Sequence, residues 1–66
     1  MNRYVIRKWF RTTGWRVAHE DESVGLMTER DAVTVMFERR SENSDKMVKC
    51  FELSTEDGNT LLSLPA

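Results

Sequence analysis

Cys50 is the only cysteine in the chain, so the disulfide frameworks that staple many small domains are excluded at the outset. What remains must fold on a thin core. A chain of 66 residues buries only about 60% of the surface its unfolded form exposes. Scaffolds of this size otherwise rely on a metal or on self-association. A lone thiol reads as reduced, and the expected location is cytoplasmic. Arg3, Arg7, Lys8 and Arg11 interrupt the apolar runs near Met1, which argues against a secretory leader. Nor does any stretch approach the roughly 20 apolar residues of a membrane span. With 39% hydrophobic and 32% charged residues, the composition is that of a folded chain.

Short runs of strand-forming residues recur along the sequence, separated by turn signals. They predict strands at 3–11, 15–20, 24–28, 32–40, 46–53 and 60–64. The clearest is AVTVMFERR, residues 32–40, dense in β-branched and aromatic residues. The polar SENSD (41–45) turns the chain, and Asp57-Gly58 is a strong hairpin signal before TLLSL. Pro65 follows the last run, where its missing N–H costs no ladder bond. The predicted architecture is one domain over 1–66, mainly β, a small antiparallel meander or open barrel of five to six short strands. The alternative is α+β, with an N-terminal helix over 3–12 packed on a four- to five-stranded antiparallel sheet. In that helix Val5, Ile6, Trp9 and Phe10 would share one arc. Propensity favours the strand, since Tyr, Val, Ile, Trp, Phe and two Thr crowd this stretch. A two-residue loop at Thr13-Gly14 would then pair Arg7 with Glu20 and Trp9 with Ala18. A slip of one residue would exchange the two faces of the second strand.

Charge divides the chain abruptly. Residues 1–19 carry Arg3, Arg7, Lys8, Arg11 and Arg16 with no acid, a charge of +5, and residues 20–66 carry −6. Such halves either attract each other within the fold or create a dipolar surface that orients a partner. The basic half is also aromatic: YVIRKWFRTTGW, residues 4–15, contains four aromatics and no acid. Trp9 among Arg7, Arg11 and Arg16 is the candidate partner-binding site, because Trp and Arg dominate interface hot spots. The same stretch could stack a nucleobase and neutralise phosphates.

Other chemistries lack their constellations. His19 stands beside Glu20, Asp21 and Glu22, but neighbours on a strand point to opposite faces, so HEDE reads as an exposed acidic turn rather than a metal site. One histidine and one cysteine give nucleophilic catalysis its ingredients without an arrangement. The three glycines are isolated and cradle no phosphate. Gly14-Trp15-Arg16-Val17 resembles the GW-x-V strand near the start of PD-(D/E)xK nuclease domains. That family also needs an Asp followed by Glu-x-Lys, and no glutamate in this chain has a lysine two places on. The four methionines read as gap-filling core.

The sequence therefore predicts a non-catalytic protein-binding module, a regulator, inhibitor or adaptor docking through its basic, aromatic N-terminal face. No metal and no cofactor are expected. The alternative is a nucleic-acid-binding protein using the same Arg/Trp-rich stretch, against which the overall acidity counts. Open strand edges add the expectation of a homodimer, formed by edge pairing or face packing.

Overall fold

In the computed structural model, residues 1–11 and 17–66 are described, and they form one antiparallel sheet with one helix on it. The strands are β1 (Asn2–Phe10), β2 (His19–Met27), β3 (Val48–Thr55) and β4 (Thr60–Pro65), and the helix, α1, spans Glu29–Glu42. Strand order across the sheet is β2-β1-β3-β4, all neighbours antiparallel. Two hairpins, β1-β2 and β3-β4, are thus joined through α1, which carries the chain from the β2 edge across β1 to β3.

The antiparallel open sheet expected from the sequence is what forms, with four strands among the described residues rather than five or six. It carries one helix on four strands, the layering of the α+β alternative, but the helix comes from a different segment. Residues 3–12 do not supply it: β1 covers Asn2–Phe10, and Tyr4, Ile6 and Phe10 point toward the core. The segment read as a strand, 32–40, is helical instead. Its ends explain why. Thr28 caps the helix by accepting a bond from the Asp31 N–H at 3.2 Å, Glu29 and Asp31 sit in the first turn, and Arg39 and Arg40 in the last. No glycine or proline interrupts it, and Ala32 and Met36, one turn apart, are its fully buried residues.

The core lies between α1 and one face of the sheet. Phe51, Met36, Leu53 and Val48 are its largest fully buried side chains, with Tyr4, Ile6, Phe10 and Ala32 around them. Met27 and Met47 pack partly against this cluster, while Met1 is exposed. Two turns follow the sequence closely. Between α1 and β3, the Asn43 and Asp45 side chains accept bonds from the Asp45 and Met47 N–H groups. Between β3 and β4, the Gly58 N–H donates to the Thr55 carbonyl at 3.0 Å and Gly58 adopts φ +98°, the left-handed region that glycine enters without strain.

β2 departs most from expectation. It is one continuous strand where two were predicted, so HEDE belongs to a strand and not to a turn. Gly25, at φ +88°, makes a bulge that leaves Val24 unpaired between Tyr4–Gly25 and Val5–Ser23. The pairing with β1 is shifted by one residue from the expected one: Arg7 faces Asp21 and Trp9 faces His19. The predicted Thr13-Gly14 turn lies outside the described residues.

Candidate functional site

Helix α1 covers one face of the sheet and leaves the other open. Residues opposite one another in an antiparallel ladder share a face, so the register gives the open face row by row. One row reads His19, Trp9, Cys50, Pro65 across β2, β1, β3 and β4; the next reads Asp21, Arg7, Glu52, Ser63. An aromatic and apolar row thus runs beside a charged one. Trp9 is half-buried there and Cys50 is half-buried beside it.

The contacts tie the two rows together. Arg7 donates from Nε to Asp21 Oδ1 at 2.8 Å and from Nη2 to Oδ2 at 3.0 Å, a bidentate pair. The Arg7 guanidinium carbon lies 5.6 Å from the centre of the Trp9 ring, within cation–π range. His19 Nδ1 lies 3.0 Å from Asp21 Oδ1. A carboxylate only accepts, so Nδ1 is the nitrogen that carries the shared proton. The imidazole stands 4.8 Å from the Trp9 ring, tilted by 58°. Arg7 and His19, both bonded to Asp21, thereby stand against the indole.

Electrostatics follows from those bonds. The Arg7 guanidinium, hydrogen-bonded to it, holds the Asp21 carboxyl below its ordinary value of 3.8; partial burial opposes this and His19 adds to it. By the same bond Asp21 fixes Arg7 as a cation, with Glu52 contributing. Part of the basic half's charge is therefore met by acids of the other half within the fold. On the helix-side face Glu22 pairs with Arg39 of α1, a cation of its own acidic half, which reaches Oε1 at 2.9 Å and Oε2 at 3.0 Å.

Of the four candidate residues, Arg7 and Trp9 meet on the open face. Arg11 lines a shallow cleft with Asn43, Ser44, Asp45 and Lys46, where the α1–β3 turn passes the end of β1. Its backbone N–H donates to the Met47 carbonyl at 2.7 Å. Arg16 lies outside the described residues. His19 and Asp21 are members of the cluster that sequence reasoning missed. Their two-residue spacing was the available signal, since it puts both on one face of a strand.

Among the described residues no helix is long and apolar enough to cross a membrane. No protein-family model, curated protein or solved structure matches this chain.

Proposed function

We propose that this chain is a small protein-binding module, a regulator, inhibitor or adaptor, that docks through the open face of its sheet with Trp9 as the anchor. The observation that carries the reading is the placement of Trp9. It lies on the face without a helix, braced by Arg7 and His19 and half-buried against them. A braced aromatic surrenders little side-chain entropy on binding, which is how hot-spot residues gain contact cheaply. The module works by occupying a surface. Asp21 orients the His19 imidazole, but the ring is directed at the Trp9 indole rather than at a nucleophile. A reduced, half-buried Cys50 fits a cytoplasmic setting.

Protein is favoured over nucleic acid because Arg7, the cation over the indole, is committed to Asp21 and faces Glu52 on its other side. The test is capture from an extract of the encoding organism by wild type, Trp9→Ala and Phe37→Ala in parallel. Phe37 is exposed on the helix and serves as the control for a different surface. A protein retained by wild type and Phe37→Ala and lost with Trp9→Ala is the expected result. Equal retention by all three excludes the Trp9 face. On duplex DNA, a log–log salt slope of about −4.5, the value for five phosphate contacts, would establish the nucleic-acid reading instead.

A further inference from the structure

We propose that the chain forms a two-fold dimer by pairing β4 with β4 of a second copy about an axis at Ser63, independently of what the Trp9 face binds. Three observations converge on this edge. The first is incomplete cover. Among the described residues the backbone of α1 comes close to those of β1, β2 and β3 and not to that of β4, and Leu62 and Leu64 lie half-buried at the margin of the core.

The second is the direction of the backbone groups. The Ala66 N–H donates to the Lys49 carbonyl at 3.2 Å. Bonded and non-bonded pairs alternate along an antiparallel ladder. Cys50–Pro65 is therefore non-bonded, Phe51–Leu64 bonded and Glu52–Ser63 non-bonded. The Ser63 N–H and C=O point off the open edge, and Pro65 sits where its missing N–H takes nothing from β3. With Ser63 on the axis, the two copies exchange a pair of N–H···O=C bonds. The same register sets Leu62 of each chain opposite Leu64 of the other, on the helix-side face. The half-buried margins beyond α1 then cover each other.

The third observation is charge. Residues 60–66 contain no ionisable side chain, so self-pairing opposes no like charges. The other edge is guarded against the same event. β2 exposes Glu20, Asp21 and Glu22 and is broken by the Gly25 bulge, devices that discourage edge pairing. Only one of the two edges is built to accept a copy of itself.

Sedimentation equilibrium of the full chain from micromolar to millimolar concentration tests this, together with amide exchange at Ser63. The expected mass rises toward twice the chain mass, and Ser63 exchange slows as concentration rises. Ser63→Pro deletes only the outward N–H, and Ser63→Arg places two guanidinium groups on the axis. Both variants stay at the monomer mass over the same range. Ser63→Arg faces Glu52 across β3 and keeps the chain's own ladder, so it remains informative if proline disturbs the strand. Wild type at the monomer mass at millimolar concentration overturns the proposal. So does a dimer that Ser63→Arg leaves intact, or a Ser63 exchange rate independent of concentration.

Discussion

Asp21 receives a guanidinium from one neighbour and an imidazole proton from the other, and its chemistry gives the site a pH signature. Its folded-state carboxyl titrates below the ordinary 3.8. A depressed carboxyl contributes stability that is complete above the unfolded value and disappears as pH falls through the folded one. Asp21→Asn should therefore cost at least as much stability at pH 5 as at pH 7, and the difference should shrink below about pH 4. Urea unfolding of both proteins across that range measures it. A difference that already declines between pH 7 and 5 contradicts the pairing. At this scale Arg7 and Trp9 were legible as companions, because their types suit a contact surface. His19 and Asp21 were not, since the assumed register paired Trp9 with Ala18 and Arg7 with Glu20. Moving β2 by one residue brought the other set of side chains to the face.

At the scale of elements, the contest was between local propensity and boundary chemistry. Val33, Thr34, Val35 and Phe37 make 32–40 resemble a strand, and that signal decided the sequence reading. Thr28, Asp31, Arg39 and Arg40 were equally visible and describe a helix from end to end. Tertiary demand favours them, because the sheet needs a cover and Ala32 and Met36 provide an apolar contact at helical spacing. Thr28→Ala removes the cap and should lower stability by about 1 kcal/mol. Met36→Ala, deep in the same contact, should lower it by about 2–5 kcal/mol. Chemical denaturation that ranks the two in the opposite order would contradict this account of the helix. β1 and the two turns around Asn43–Asp45 and Asp57–Gly58 were legible because each is specified by residues that sit next to one another. The β2 register depends on a turn and a bulge, and Gly25 alone did not announce its left-handed geometry in the sequence.

Across the whole molecule, the segregation of charge has a structural use. The basic β1 sits beside the acidic β2, and Arg7–Asp21 connects what the sequence separates, while Arg39–Glu22, a pair within the acidic half, ties α1 to β2. Opposite-charge halves thus help to order the sheet, and charge is removed from the surface that a long-range dipole would have used. One layer of helix on one layer of sheet seals a single face. The opposite face carries an aromatic row beside a charged row, and the uncharged β4 edge is the surface proposed for pairing with a second copy. The reading of this molecule as a docking module depends on Trp9 being surface in the free chain and buried in the complex. Trp9→Ala, assayed for both unfolding free energy and affinity for the captured partner, tests that dependence most directly. The account predicts about 1 kcal/mol or less of lost stability, against about 3–5 kcal/mol for Phe51→Ala. It predicts at the same time about 2 kcal/mol of lost binding, roughly a 30-fold weaker complex. A Trp9→Ala chain as destabilised as Phe51→Ala, or one that binds undiminished, would contradict it.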